Sequence, residues 1–247
     1  MNLSIREAFG KELVKLGKKN KKIVAVSCDL KDACKLSFFF EKFPKRSFEV
    51  GIAEANAVGI AAGLSMSGFR PFLASFASFI TGKNVEIRTS VSYNKCGVVI
   101  VGTHGGLIGP DGATQSSVQD IAVMRSLPYF EIIQPSSPLE TKQVVNYSAA
   151  SKKPIYLRIA RNDVTEFLPK NYKFNIGFPS LIKKGKKNLV ISSGPTLSNC
   201  VTAVNKIGKN VGILNFSSIK PVNEKHIIKT LKNYTNIITV EDHSIIG

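Results

Sequence analysis

One acid stands out as a residue that can do chemistry. Glu54 interrupts the apolar run from Gly51 to Leu64, which reads GIAEANAVGIAAGL. Small and apolar residues recur there at helical spacing, so Glu54 is predicted in the first turn of a helix, near its positive end. An unpaired buried carboxylate is costly, so this acid belongs either to a structural network or to a site held for chemistry. The run alone leaves both interpretations open.

Two phenylalanines follow in the sequence SFASFITG. Phe76 and Phe79 are three residues apart, just beyond a predicted strand. An aromatic pair at that place could stack on a flat heterocycle. Ordinary core packing is the alternative, and it is the commoner use of such a pair.

The glycine-rich segment from Gly102 reads GTHGGLIGPDGATQSS. Loops as polar as this one usually serve a site, and glycine allows backbone N–H groups to approach an anion. His104 and Asp111 in this loop could bind a hydroxylated or phosphorylated ligand. The alternative is an irregular turn in which His104 bonds only to backbone.

Two further candidates follow predicted strands. Asp29 comes after the buried strand from Ile23 to Ser27, and Arg161 ends the sequence PIYLRIAR. The carboxyl ends of strands are common places for ligand contacts in α/β sheets. Arg161 is a candidate for anion binding, with a surface ion pair as the alternative, and Asp29 is a candidate for cofactor binding.

Alternating strands and helices must position these residues. Ser4 and Glu7 form a capping box at the start of a first helix. Short buried strands alternate with helices after it, which indicates a parallel sheet with helices on both faces. The predicted strands are 23–27, 48–50, 71–74, 98–102, 130–134 and 155–159, and the predicted helices are 4–17, 51–64, 79–93, 118–125 and 138–150.

The expected fold class is therefore α/β, in two units. The first unit covers residues 1–165, and a segment rich in Lys, Gly and Asn forms a linker over 166–187. A smaller α/β unit covers 188–247, with strands at 189–192, 211–215 and 237–240. Only EDHSIIG follows the last of these strands, so the second unit is expected to be incomplete.

Composition excludes several classes of protein. The 247 residues are 43% hydrophobic, which is enough for globular cores. No apolar run approaches the ~20 residues of a membrane helix, and the start lacks the apolar core of a signal peptide. We therefore expect a cytoplasmic protein with no membrane partner. The four cysteines lack CxxC spacing and nearby histidines, so no metal site is expected.

The net charge of +17 raises the question of nucleic-acid binding. Most of the basic residues are lysines, and the lysine runs at 18–22 and 183–187 lack interleaved aromatics for base stacking. We therefore expect no nucleic-acid partner. The same charge is compatible with an acidic partner or a phosphorylated substrate.

Together these stretches resemble the carboxyl-terminal half of a transketolase, and more narrowly the separate carboxyl-terminal subunit of split transketolases. The resemblance covers nearly the whole chain. It implies a pyrimidine-binding domain of the thiamine diphosphate-binding fold over residues 1–165, then a partial transketolase C-terminal domain. The sequences that carry it are GIAEANAVGIAAGLSMSGFRPFLASFASF, VGTHGGLIGPDGAT, DIAVMRSLP, PIYLRIAR and TVEDHSIIG.

The resemblance implies cofactor contacts. Glu54 matches the glutamate that bonds N1′ of the aminopyrimidine ring of thiamine diphosphate. Phe76 and Phe79 fall where aromatic side chains stack on that ring. Proton transfer by Glu54 is the acid–base contribution that this cofactor needs from the protein.

It also implies substrate contacts. Arg6, His104 and Arg161 match positions that contact the substrate phosphate, and Asp111 matches a contact to a sugar hydroxyl. His104 is thereby a catalytic candidate beside Glu54. Gln115 departs from the family pattern, in which a His contacts the donor sugar near the reacting carbon. Gln forms hydrogen bonds but does not titrate, so donor choice is expected to differ.

Finally, the resemblance implies a partner. The Gly-Asp-Gly and Asn arrangement that holds Mg²⁺ and the diphosphate belongs to the amino-terminal half in the family, and this sequence does not contain it. The expected assembly is an α2β2 heterotetramer with an N-terminal transketolase subunit. The implied reaction transfers a two-carbon ketol unit between sugars or sugar phosphates.

Two alternatives to this reaction remain open. One is another thiamine diphosphate enzyme, similar to deoxyxylulose-phosphate synthase or to the E1 β subunit of a 2-oxo acid dehydrogenase. The other is a non-catalytic assembly subunit.

Overall fold

The computed structural model describes residues 2–107, 111–208 and 210–246. Met1, Ile108, Gly109, Pro110, Lys209 and Gly247 lie outside the described residues. The Gly-Pro start of the Gly-Pro-Asp-Gly-Ala-Thr motif and the expected end of the second unit at Gly247 therefore belong to that undescribed part.

Strands and helices alternate along most of the described chain. The strands are β1 (Asn2–Ser4), β2 (Ile23–Ser27), β3 (Ser47–Glu49), β4 (Arg70–Phe76), β5 (Val99–Thr103), β6 (Glu131–Ile133), β7 (Ile155–Ile159), β8 (Asp163–Thr165), β9 (Ser180–Lys183), β10 (Asn188–Ser192), β11 (Val211–Asn215), β12 (Ser218–Lys220) and β13 (Asn236–Val240). The helices are α1 (Ile5–Lys19), α2 (Ser37–Lys42), α3 (Glu54–Met66), α4 (Ala77–Thr81), α5 (Asn84–Glu86), α6 (Asp120–Arg125), α7 (Pro138–Ala150), α8 (Thr196–Ile207) and α9 (Glu224–Leu231), with a 3₁₀ turn at Pro44–Arg46 and a π-helical segment at Ile87–Ser92.

The larger sheet has the order β12-β6-β7-β5-β4-β2-β3. All its pairings are parallel except that of the edge strand β12, which is antiparallel to β6. Helices α1, α2 and α7 bury apolar side chains against one face, and α3, α6 and the π-helical segment against the other. The predicted parallel sheet with helices on both faces is confirmed. The hydroxyl of Ser4 accepts a hydrogen bond from the N–H of Glu7 (3.2 Å), which is one half of the predicted capping box. The Glu7 carboxylate pairs with Lys11 instead (2.8 Å).

The smaller sheet has the order β13-β10-β11-β9. Strands β10, β11 and β13 correspond to the three predicted for the second unit. Strand β12 lies between β11 and α9 in sequence but joins the larger sheet. Another unpredicted pair, β1 with β8, holds the start of α1 beside the segment that follows β7.

Two predictions about local structure are wrong. The predicted helix over 79–93 is divided into α4, α5 and the π-helical segment, because Gly82, a poor helix former, follows the last residue of α4. The predicted linker is also partly structured. Its residues 180–183 form β9, an edge strand whose side chains are not buried, so its sequence lacks a strand's apolar alternation. Its Tyr172 donates a hydrogen bond to the buried Glu140 of α7.

No helix among the described residues is both long and apolar enough to cross a membrane. The four cysteines are buried and unpaired.

Candidate active site

The candidate residues share one edge of the larger sheet. Strands β7, β5, β4 and β2 are neighbours and run parallel, so their carboxyl ends meet at the same edge. Phe76 is the last residue of β4, and His104 and Arg161 follow β5 and β7. The fold therefore brings together residues that lie far apart in the sequence.

Glu54 is the first residue of α3, and a turn in the preceding loop delivers it there. Gly51 has φ of +71°, a left-handed conformation that glycine adopts at little cost. The Glu54 side chain is only 7% exposed. Its Oε1 accepts a hydrogen bond from the hydroxyl of the buried Ser75 at 2.9 Å. Burial, with the nearby charge of Glu54, raises the pKa of the Cys28 thiol to about 12.

Ser75 thus supplies a hydrogen bond to Oε1, one of the two oxygens of the Glu54 carboxylate. Among the described residues, no donor reaches its Oε2. A buried carboxylate with one oxygen held and one available is suited to bind a protonated ring nitrogen of a ligand, and the helix N-terminus favours its negative charge.

The aromatic pair is stacked next to this edge. The ring centroids of Phe76 and Phe79 are 5.4 Å apart and their planes differ by 23°. The His104 ring lies 3.9 Å from Phe76 on centroids. Both phenylalanines are half-buried. Phe76 therefore contacts both Phe79 of α4 and His104 of the glycine-rich loop.

His104 is held in an unusual backbone conformation directly after β5. Its φ is +59°, and the ring is only 3% exposed. Nδ1 lies 3.0 Å from the hydroxyl of Thr103, which also contacts the buried thiol of Cys34. Burial and the charge of Arg6 lower the pKa of His104 to about 4. The imidazole is therefore neutral at pH 7.

Two guanidinium groups face this histidine. Nη1 of Arg6 lies 3.5 Å from Nε2 of His104 and donates to the carbonyl of Ala33 at 2.9 Å. Arg161 forms an ion pair with Asp111, whose Oδ2 is 4.0 Å from Nε2 of His104. Burial and the charge of Arg161 lower the pKa of Arg6. Two carboxylates, Asp163 and Asp111, act electrostatically on Arg6 and balance the charge of the two arginines. The cluster therefore offers guanidinium N–H donors to an anionic ligand.

Gln115 and Asp29 each form hydrogen bonds with residues outside the cluster around His104. Gln115 is half-buried, its backbone carbonyl accepts from the hydroxyl of Ser78 (3.1 Å), and its side chain accepts from Thr114. It thus borders α4, the helix that carries Phe79. Asp29 has φ of +59° and an exposed side chain, and its N–H donates to Glu49 at 2.6 Å. Its cofactor role stays a prediction.

Several residues of this site were not among the sequence candidates. Ser75 and Thr103 hold Glu54 and His104, but their types give little signal by themselves. Arg158 has a clearer sequence signal, because it is a cation inside the buried strand β7. It is 1% exposed and bonds to Asp120 and Asp242. Burial opposes its charge, but these two carboxylates outweigh that effect and raise its pKa above the ordinary value.

Cavity size alone does not locate this site. A cavity of about 590 Å³ lies at the amino-terminal ends of the strands, with Lys22, Arg70 and Lys152 in its wall. None of the candidate residues lines it. In the part of the chain that is described, no group of three or more His, Cys, Asp and Glu side chains is arranged to hold a metal ion.

Comparisons with known proteins agree along the whole chain. Residues 1–166 match the family described as "Transketolase, pyrimidine binding domain", and residues 180–247 match "Transketolase, C-terminal domain". A "Putative transketolase C-terminal section" from Methanocaldococcus jannaschii is 37% identical over 251 residues, which cover 98% of this chain and 78% of that protein.

One subunit of an apulose-4-phosphate transketolase from Phocaeicola vulgatus is 33% identical over 251 residues, which cover 99% of this chain and 80% of that protein. A solved structure described as a split-gene transketolase in an inactive beta4 tetramer is 34% identical. It aligns with a TM-score of 0.91 over 100% of this chain and 82% of its own.

Proposed function

Because this chain belongs to the transketolase family, and relatives of similar length are C-terminal sections or separate subunits, we propose that it forms half of a shared active site. The reaction is transfer of a two-carbon ketol unit between sugars or sugar phosphates. The family depends on thiamine diphosphate. When bound, that cofactor supplies an electron sink for breaking a carbon–carbon bond beside a carbonyl.

The observation that carries this proposal is the buried carboxylate of Glu54, which accepts from Ser75, the residue directly before the stacked pair of Phe76 and Phe79. Glu54 and the two phenylalanines fit an aminopyrimidine. Glu54 has one oxygen available to hold a proton at the ring nitrogen N1′, while Ser75 fixes the other. The phenylalanines offer aromatic surface to a flat ring. Their assignment to the pyrimidine ring is the proposal.

The cluster around His104 is proposed to bind the sugar. Arg6 and Arg161 supply donors and positive charge for a phosphate group. Asp111 accepts from a hydroxyl, and the neutral His104 exchanges a hydrogen bond with the substrate rather than a full charge. The N–H donors of the two guanidinium groups support a phosphorylated sugar.

The second half of the site is proposed to come from a separate amino-terminal subunit that holds the diphosphate and Mg²⁺, in an α2β2 assembly. Support comes from the family's Gly-Asp-Gly and Asn arrangement, which is not in this sequence, and from relatives named as sections and subunits. We also propose a cytoplasmic location, because four unpaired cysteines are typical of a reducing compartment.

This division of the site is testable with the isolated chain. Alone, the chain is expected neither to bind thiamine diphosphate with micromolar affinity in the presence of Mg²⁺ nor to turn over ketoses. Titration calorimetry and a coupled ketose assay, with and without the partner, measure both. Tight binding without a partner contradicts the shared site, and a complex that binds but never turns over supports an assembly subunit instead.

Gln115 is proposed to influence donor choice. A polar site discriminates against substrates that leave its groups unpaired, so an imidazole in place of the amide changes which donor is accepted. Gln115→His is expected to raise kcat/KM for a standard ketose phosphate relative to the native donor by about tenfold, the effect of one polar contact. Steady-state kinetics over a panel of ketoses measures the ranking.

The neighbouring Thr114→Ser variant is the control for Gln115→His, since it keeps the hydroxyl next to position 115. An identical donor ranking in the wild type and in Gln115→His means that Gln115 does not contact the donor.

A further inference from the structure

The segment that follows β13 returns to the larger sheet at the base of the glycine-rich loop. Nη1 of Arg158 donates to Oδ1 of Asp242 at 2.6 Å, and Nη2 donates to the Asp242 carbonyl at 3.3 Å. Two residues later, the N–H of Ser244 donates to the carbonyl of Val118 at 2.7 Å. The smaller domain therefore touches the larger one where the loop ends.

The guanidinium of Arg158 joins four parts of the chain. Besides Asp242, it bonds to both carboxylate oxygens of Asp120 at the start of α6 (2.8 and 3.0 Å) and to the carbonyl of Ser117 (3.0 Å). Arg158 itself belongs to β7. One buried cation thus ties the sheet, a helix start, the loop and the smaller domain together.

The other end of the loop lies directly on this ion pair. A Cβ atom at Gly105 would overlap Nε of Arg158, and one at Gly106 would overlap Oδ2 of Asp242. Gly106 has φ of +89°, and its N–H donates to the carbonyl of Ser117 at 2.7 Å. The two glycines are therefore needed for a close approach of backbone to the pair.

We propose that the ion pair between Arg158 and Asp242 positions the described parts of the glycine-rich loop, residues 104–107 and 111–117, so that the smaller domain determines how these residues meet the substrate. Both are positioning residues, which act through the candidate substrate contacts of the loop. The inference rests on the proposed substrate-binding role of this loop.

The reason is the cost of a buried donor without an acceptor. Removing the carboxylate of Asp242 leaves Nη1 of the buried Arg158 without its acceptor. It also removes the carboxylate atoms against which the backbone of Gly106 packs. Asp120 still balances the charge of Arg158, but a buried N–H without an acceptor carries the cost of its lost hydration. The backbone around Gly105 and Gly106 has to move, because it rests on the groups that have changed.

The test is Asp242→Ala in the full chain assembled with its partner. We expect kcat/KM for the sugar donor to fall by about 10- to 100-fold, because displacing a substrate contact by about 1 Å has effects of this size. A raised KM should account for most of the fall. Hydrogen–deuterium exchange at C2 of the bound cofactor should stay within about twofold, since it depends on Glu54 rather than on the loop.

Two variants control for general damage. Asp242→Asn keeps an acceptor for Arg158 and should retain more activity than Asp242→Ala. Lys220→Met removes a contact of the edge strand β12 with the end of α6 and the residues after it, because Nζ of Lys220 donates to the carbonyls of Arg125 (2.9 Å) and Leu127 (2.6 Å). That contact lies at the carboxyl end of α6, whereas Arg158 bonds to Asp120 at the start of the helix, so kinetics should be unchanged.

Amide exchange of the loop supplies a readout that needs no activity. In the full chain, exchange at the Gly106 amide should rise at least ~10-fold in Asp242→Ala and stay unchanged in Lys220→Met. The proposal is overturned if Asp242→Ala leaves both the Gly106 amide exchange and the kinetics unchanged. It is also overturned if cofactor C2 exchange falls as much as kcat/KM does, because that result indicates general disruption. If the wild-type complex lacks transketolase activity, the proposed function fails, while the amide exchange still tests the positioning.

Discussion

Replacing Glu54 with glutamine is expected to slow hydrogen–deuterium exchange at C2 of bound thiamine diphosphate by about 10²- to 10⁴-fold in the assembled complex. This is the usual contribution of one positioned acid or base. Glutamine keeps the shape of the side chain and can still accept from Ser75, but its amide does not ionise and so cannot transfer a proton to or from the ring nitrogen. Nuclear magnetic resonance of quenched samples measures the exchange directly.

The same Glu54→Gln variant should unfold at nearly the same urea concentration as the wild type, because its hydrogen bond to Ser75 is retained. Glu41→Gln is a matched control, because Glu41 is an exposed acid in α2. The rate of cofactor C2 exchange in this variant should equal that of the wild type. An unchanged exchange rate in Glu54→Gln assigns Glu54 to a structural network instead.

The second large effect is expected from the arginines. The double variant Arg6→Gln, Arg161→Gln should lower the ratio of kcat/KM for phosphorylated over unphosphorylated ketoses by about 10²- to 10⁴-fold. Hydrogen bonds to charged groups contribute about 1.5–3 kcal/mol each, and two guanidinium groups are removed. The structure supports this role because Nε of the half-buried Arg6 has no partner among the described residues.

Measuring both substrate types separates this effect from a general loss of activity. The unphosphorylated ketose should lose less than the phosphorylated one. Arg88→Gln, at an exposed arginine of the π-helical segment, should leave the ratio unchanged. An unaltered ratio in the double variant means that the two arginines do not contact the phosphate, and Arg161 then serves only its ion pair with Asp111.

The sequence was sufficient to predict the central strands and the residues that share one edge of their sheet. Strands β2 and β7 were predicted at the residues where they occur, because strands buried on both faces are short and mostly apolar, and Arg158 is the one charged residue in β7. In a parallel sheet, the residues after such strands must meet at one edge. The proximity of Phe76, His104 and Arg161 follows from that rule and needs no knowledge of packing.

The sequence was insufficient where structure depends on exposed or distant partners. Strand β9 is an edge strand without an apolar pattern, and β12 is a strand only because β6 accepts it at the edge of the other sheet. Local propensity does not contain these contacts.

The sequence by itself determined that Glu54 is an acid in apolar surroundings and that His104 lies at the sheet edge with charged residues. Only the tertiary structure decided what each of them is paired with. Nη1 of Arg6 meets His104 across 98 residues, and Arg158 meets Asp242 across 84. Burial and electrostatic interaction depend on distance in space, so the neutral state of His104 and the pairing of Arg158 are properties of the folded chain.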